Sequence, residues 1–592
     1  MNLQIVSCYQ SIITYKSSTL TYKAGQKQPH KIIDKKDVQK KGTFPQNLAP
    51  VAIKYPFLWL SIIALIIYIP TLNFGFTELD DSIFIREFHE YNENLANLFT
   101  SFHRGLFDAT KDPYFRPLFL DSIILNYQFA KQEIFGYHVI NVMLHISCVV
   151  LAYNLFVKLR IRRLHSFLLA LAFAVHPVLT QAVAWIPGRN DTLLALFTFA
   201  FFNFAIDYSD MGKLKDILLS VLFLLMAFFT KETAVFIPVV TFIILVFIIG
   251  NDWRSRSNII LYSSWVACFL IWFIVRSQAS NINATSGTDI GNMVSSFIHR
   301  LPLIPQYIGK IILPVNLSNF PMQEQTSNLY GYIAIALIAA SLYFSKEVNW
   351  KKVICGAIIF FIFLIPALLI PNNLNEQTFE HRLYLPIIGM LIVLSETTIF
   401  KRVIDSNTLL FSGILCALLA IGNFVHQRCF KDPYSFWTTA VATSPNSAYA
   451  NMMLGAREDN LEKSYHLFRK AYSIDSTQKY LNFYYGKMLQ MQDSVLQSEK
   501  YLLAEKQRTD FVECDFYLAR VAMTKNDTTG TINYLKNYLT RMPASEPANN
   551  NLLLTYINRR QFPEAKSHAT HMQQIGLKVP DQIQMILSKV PQ

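Results

Sequence analysis

Two adjacent carboxylates, Asp80-Asp81, stand just after the first long apolar run of this 592-residue chain. A carboxylate at the outer end of a membrane span can take the proton of a hydroxyl acceptor. Two carboxylates that face each other also raise the pKa of one of them. Further along come Phe115-Arg116-Pro117-Leu118, then His176-Pro177 with Gly188-Arg189-Asn190-Asp191, then Lys231-Glu232 and Glu380-His381-Arg382. Arginine holds phosphate in a bidentate clamp and stabilises a phosphate that leaves as an anion. Charges beside hydrocarbon are costly, so several of them recurring between apolar runs point to a reaction site.

Each residue also has a structural role open to it. Asp80 or Asp81 can cap the helix that follows. Arg116 can be a surface arginine. Asn190 or Asp191 can cap the next span, while Arg189 beside that helix N-terminus would make an anion site. His176 lies two to three turns into its span, where a hydrogen-bonded structural histidine is as natural as a catalytic one. Lys231-Glu232 can pair within a tight hairpin. Arg382 is placed to hold a lipid-linked phosphate, or it can snorkel to the interface.

The elements that must position these groups are membrane helices. The chain is 52% hydrophobic and only 16% charged. Apolar runs of about 16–22 residues recur from Pro56 to Val425, the length needed to cross roughly 30 Å of hydrocarbon. The net charge of +13 is concentrated in a tail, residues 1–54, and in short loops. That is the pattern of cytoplasmic loops and excludes a nucleic-acid face. The tail reads as disordered, basic and cytoplasmic. The seven cysteines show no C-x-x-C and no ligand spacing, so neither a disulfide framework nor a zinc site is expected.

With the tail inside, the first span (about 57–74) exits, and a loop of about 75–136 follows. Lys158, Arg160, Arg162 and Arg163 mark the return to the inside. The third span carries a kink at Pro177. The fifth and sixth form a hairpin around Lys231-Glu232. Residues 301–317 are apolar but contain Pro302, Pro305 and Pro314. Reading them as re-entrant keeps Lys346, Lys351, Lys352, Lys401 and Arg402 inside. Eleven spans then leave the polar patches and the C-terminus on the same outer side.

Residues 433–592 are polar and repeat. Gly455, Gly486, Ala519 and Leu553 recur at intervals of 31, 33 and 34, and Ser498, Thr531 and Ala565 follow twelve residues after the last three. In the first unit Ser464 comes nine residues after Gly455, a shortened turn. These are tetratricopeptide offsets, and about four stacked helix pairs would form a small superhelix suited to an extended peptide. The fold class expected is all-α: a polytopic membrane bundle over 55–426, then a tetratricopeptide solenoid over 433–592.

The ordered set of motifs resembles the transmembrane and tetratricopeptide-repeat O-mannosyltransferase family, within the GT-C class of membrane glycosyltransferases. The resemblance covers residues 56–592. It is carried by Glu78-Leu79-Asp80-Asp81, Tyr114 to Leu118, Gly136 to Asn141 with Leu144-His145, Phe173 to Pro177, Gly188 to Asp191, Lys231-Glu232, Glu380 to Pro386, and Trp437 with Ser444 to Ala448. It implies an inverting transfer of a sugar, mannose, from a polyprenyl- or dolichyl-phosphate donor to Ser/Thr hydroxyls of a polypeptide. Asp80 or Asp81, with Asp80 favoured, would be the base. Arg116, Arg189 and Arg382 would share the donor phosphate. His176, Asp191, Lys231, Glu232, Glu380 and His381 would support them.

Phe115 replaces the usual Tyr before Arg-Pro-Leu, and Gln181 stands where an acidic residue is common. A divalent cation is optional, since two aspartates could hold one but no ligand cluster demands it. The expected partners are a lipid-phosphate sugar, a polypeptide and membrane lipids, with no nucleic acid. Residues Asn283-Ala284-Thr285 and Asn526-Asp527-Thr528 match glycosylation acceptors on the outer side. The membrane would be a bacterial inner membrane, with periplasmic repeats, or the endoplasmic reticulum, with luminal repeats. The alternative is a non-catalytic membrane scaffold that recruits partners through its repeats.

Overall fold

A computed structural model describes residues 54–107, 114–279, 290–370, 377–401 and 406–589. The basic tail and the Asn283 sequon lie outside them. The described residues are helical, with one isolated bridge between Met322 and Gln377 and no strand. They divide into two compact units, residues 54–474 and 475–589.

In the first unit, seven helices are long and apolar enough to cross a membrane: Pro56–Asn73, Ile134–Lys158, Ile186–Met211, Glu232–Ile249, Arg256–Gln278, Trp350–Leu369 and Leu409–Phe430. Arg163–Val175 and Pro177–Ala184 form an eighth candidate, bent by 49°. The bend has a local cause. Pro177 cannot donate its N–H, and the residue before a proline avoids helical angles; His176 is extended at φ −67°, ψ 123°.

Three further apolar helices are short for a crossing: Leu214–Phe228 and Leu329–Tyr343 have 15 residues each, and Ile387–Leu394 has eight. The proline-broken segment contributes a ten-residue helix, Leu303–Ile312. It lies tightly against Leu329–Tyr343, where a Cβ on Gly331 would meet the Pro305 carbonyl oxygen at 2.0 Å. The apolar core of this unit is continuous through Leu60, Phe156, Phe173, Phe199, Ile359 and Tyr384.

The first unit also includes Pro433–Thr443, Ala448–Gly455 and Leu461–Ile474, from the stretch read as repeats. They are tied to the membrane part by polar contacts. Asn319 Nδ2 donates to the Phe436 carbonyl at 2.7 Å, Ser444 Oγ to the Phe320 carbonyl at 2.8 Å, and Arg457 pairs with Glu78.

The second unit is a run of helices from Leu481–Met491 to Asp581–Ser588. The small positions found by spacing lie where its helices approach. A Cβ on Gly486 would come within 2.9 Å of Leu502, and Ala519, Leu553 and Ala565 are buried in one apolar cluster. Asp527 caps Thr528–Arg541 by accepting from Gly530 N at 2.9 Å.

Candidate active site

One cavity of about 470 Å³ gathers the polar patches of the first unit. Asp80 comes from the loop after the first span, and Arg116 from the N-cap of Pro117–Ala130. Pro117 explains that placement: proline starts a helix readily and keeps the residue before it out of the helical region, with Arg116 at φ −138°, ψ 59°. Asn190 and Asp191 open the Ile186–Met211 helix, and Lys231 and Glu232 form the turn before Glu232–Ile249. His381 and Arg382 come from the single-turn helix Glu380–Leu383. Phe363, Pro366 and Ala367, near the C-terminal end of Trp350–Leu369, add an apolar wall.

The charges in this cavity are mostly paired. Glu232 accepts from Arg116 Nε at 3.1 Å and from Phe115 N at 3.1 Å. Asp191 accepts from Lys231 Nζ at 2.7 Å. That leaves one anion and one cation. Among the described residues, the Asp80 carboxylate makes no hydrogen bond or ion pair, and Arg382 has no carboxylate partner. The Arg382 guanidinium sits 5.9 Å from the Phe379 ring, and its Nη1 has no hydrogen-bond partner.

Burial, and next the charge of Asp81, raise the Asp80 carboxyl to about 7 against the pull of Arg116. Burial and then the cations Lys231, Arg382 and Arg116 hold His381 well below the usual imidazole range, so it is neutral. His381 lies between Trp185 and Phe379, with ring centroids at 5.6 and 5.3 Å.

Asp81 does not line this cavity. Its Oδ2 accepts from Thr77 N at 2.6 Å and Thr77 Oγ1 at 3.0 Å, and its Oδ1 accepts from Ser82 N at 3.0 Å. The carboxylate folds its own loop, so the adjacent aspartates do not offer a shared cation site. No group of three His, Cys, Asp or Glu among the described residues has metal-binding geometry.

Arg189, expected on the donor phosphate, is not brought to the cavity either. It is fully buried and donates to Asn141 Oδ1 at 2.8 Å, Asn126 Oδ1 at 2.8 Å, the Tyr137 carbonyl at 2.9 Å and the Ser122 carbonyl at 3.1 Å. A guanidinium satisfied four times by protein has little left for a ligand. It joins Pro117–Ala130, Ile134–Lys158 and Ile186–Met211 behind the site. His176 is likewise engaged, donating Nε2 to the Ile311 carbonyl at 2.8 Å and accepting from Val178 N at 3.2 Å.

Glu380 is fully buried next to the cavity. It accepts from Lys310 Nζ at 2.7 Å and Ser318 N at 2.8 Å, with His426 Nε2 at 3.2 Å. Gln181 fixes the same turn: its Oε1 accepts from the backbone N–H of Glu380 at 2.9 Å and His381 at 3.2 Å. An amide oxygen accepts those bonds without adding a charge beside Glu380. Lys310 was missed in the sequence reading. Its signal was available, since a lysine inside the apolar stretch 301–317 must find a partner.

No protein-family model matches the chain. Its sequence is nonetheless similar to curated proteins. Human "Protein O-mannosyl-transferase TMTC1" is 24% identical over 429 residues, covering 61% of this chain and 48% of that protein. The sequence is thus similar to TMTC proteins. Protein O-mannosyl-transferase F38B6.6 of Caenorhabditis elegans is 24% identical over 381 residues, 60% of this chain and 52% of that protein. Mouse TMTC1 is 36% identical over 138 residues, 23% and 15%. The chain thus spans about half the length of the relatives it matches most extensively, and its multi-pass character is that of a membrane protein.

Proposed function

We propose that this chain is an inverting GT-C glycosyltransferase that moves mannose from a polyprenyl- or dolichyl-phosphate donor to a Ser or Thr hydroxyl of a polypeptide. The observation that carries this reading is the pair Asp80 and Arg382, neither in an ion pair among the described residues, on one cavity whose other ions are paired. The names of the TMTC relatives support the sugar and the protein acceptor.

In the reaction, Asp80 accepts the proton of the acceptor hydroxyl as its oxygen attacks the anomeric carbon. The bond from that carbon to the donor phosphate oxygen breaks, and the lipid phosphate leaves with the electron pair. Arg382 stabilises the charge that develops there. Arg116 and Lys231, fixed by Glu232 and Asp191, add positive potential without having to reorganise. The apolar flank of Phe363, Pro366 and Ala367 suits the prenyl chain, and Trp185 and His381 offer flat faces to the sugar.

The topology in this reading has eleven crossings. The bent pair and the three short apolar helices complete the set, the tail is cytosolic, and the cavity and tetratricopeptide repeats lie on the non-cytosolic side. The repeats would receive the polypeptide. The test is transfer of labelled mannose from a synthetic lipid-phosphate donor by the full chain in proteoliposomes. Wild type is expected to transfer and Asp80→Asn to fail while remaining folded. Equal transfer by both would remove the base, and no transfer by either would favour a membrane scaffold.

A further inference from the structure

We propose that a second cavity, at the other end of the Trp350–Leu369 helix, binds a phosphate-bearing anion, with an anionic lipid headgroup as the favoured source. The cavity measures about 670 Å³. Lys352 lines it, whereas Pro366 of the same helix lines the candidate active site, so the two lie about 21 Å apart along the axis at 1.5 Å per residue.

Its cations come from two different turns. Arg160 and Arg162 lie between Ile134–Lys158 and Arg163–Val175, and Lys346 lies between Leu329–Tyr343 and Trp350–Leu369. All three are exposed, and among the described residues none makes an ion pair. The facing carboxylates do not cancel them. Glu396 is buried, accepts from Asn349 N at 3.0 Å and stands 3.8 Å from Lys352 Nζ. Glu347 lies at the exposed rim, and His165 completes the titratable lining.

The convergence of cations from two separate turns on one cavity goes beyond the ordinary excess of cations on a cytosolic face. Beside the cations stands Phe344, 73% exposed at the end of an apolar helix. Cations around a cavity with an apolar flank match a phosphodiester that carries acyl chains, the chemistry of basic headgroup pockets between membrane helices.

The experiment uses the purified full chain in neutral detergent, matched against Lys213→Gln/Lys215→Gln, which removes two exposed cations at the start of the Leu214–Phe228 helix. In one arm, native mass spectrometry compares retention of phosphatidylglycerol with phosphatidylcholine. Arg160→Gln/Arg162→Gln is expected to cut phosphatidylglycerol retention by roughly twenty-fivefold, at about fivefold per arginine, and the Lys213/Lys215 variant to leave it near wild type. In the other arm, inorganic phosphate is added to lipid-stripped protein and thermal stability is read. A rise in wild type that the arginine variant lacks would assign the site to a soluble phosphate compound instead. Should the double variant not purify as a single species, Lys346→Gln is read in both arms, with a smaller loss expected. Arginine and lysine variants that behave alike in both arms overturn the proposal.

Discussion

At one end of the Trp350–Leu369 helix the charges are at least half-buried and mostly paired; at the other, two arginines and a lysine are exposed and make no ion pair among the described residues. Glu232 holds Arg116 and Asp191 holds Lys231, and among the described residues Asp80 and Arg382 are left without an ion pair. At the opposite end Arg160, Arg162 and Lys346 make no ion pair among the described residues. Burial explains the difference. An unpaired ion out of water costs several kcal/mol, so a buried site can leave unpaired only the charges its chemistry needs. An exposed site has no such limit and can recruit an anion by net charge alone. The first end is therefore rigid and selective, and the second is attractive and permissive.

The largest expected effect tests the first end directly. Asp80→Asn should lower kcat for sugar transfer by a factor of about 10²–10⁴, the contribution of a positioned base, whereas Asp81→Asn should act chiefly on the folding of its loop. Initial rates and the yield of folded protein separate the two. Equal losses of kcat would erase the distinction between these neighbours.

Next comes the free cation. Arg382→Gln should reduce kcat by about 10²–10³, as removal of one transition-state donor does. Arg189→Gln should instead lower the yield of monodisperse protein, because it orphans Asn141, Asn126 and two carbonyls. A normal yield with lost activity would return Arg189 to the reaction.

The buried pair behind the site should be read in stability. Glu380→Gln leaves Lys310 charged and unpaired, and is expected to cost about 3–5 kcal/mol. Adding Lys310→Met should recover most of it. Thermal unfolding of the three variants is the measurement.

A smaller effect is expected from pH. Asp80 must be ionised to accept a proton, and its carboxyl is raised to about 7. The sign follows: log kcat/KM should fall by about one unit per pH unit below that value and level off above it. Asp81→Asn removes a neighbouring negative charge and should move the midpoint down. A profile flat from pH 5 to 8 would oppose the assignment of Asp80.

The smallest effect is expected from the far end. Arg160→Gln/Arg162→Gln should leave transfer within about twofold, since the separation of about 21 Å exceeds the physiological Debye length of about 8 Å. A large loss would mean that the two ends communicate.

Much of the architecture was legible in the residues. Long apolar runs read as crossing helices because hydrocarbon leaves a backbone no other way to satisfy itself. Pro177 announced the bend, and the spacing of Gly486, Ala519 and Leu553 marked the close approaches of the C-terminal helices. Less legible was the apolar stretch near 384–399. Its helix is only Ile387–Leu394, because a segment buried among protein neighbours need not have the length of a crossing. The site was legible as a set of patches, and less so as individual roles.

What the sequence determined by itself is which charges must find partners: ions next to apolar runs cannot stay unsatisfied, wherever the chain takes them. Which partner each finds was decided only in three dimensions. Asp80 and Asp81 are neighbours with the same chemistry, yet Thr77 and Ser82 take one and leave the other to the cavity. Arg189 and Arg382 look equally suited to phosphate, but two asparagines and two carbonyls from other segments saturate the first. Those donors and acceptors lie up to 67 residues away, and the Gln181 bond that sets the Glu380–His381 turn spans 199. Hydrogen bonds over such separations follow from packing, which no local spacing encodes.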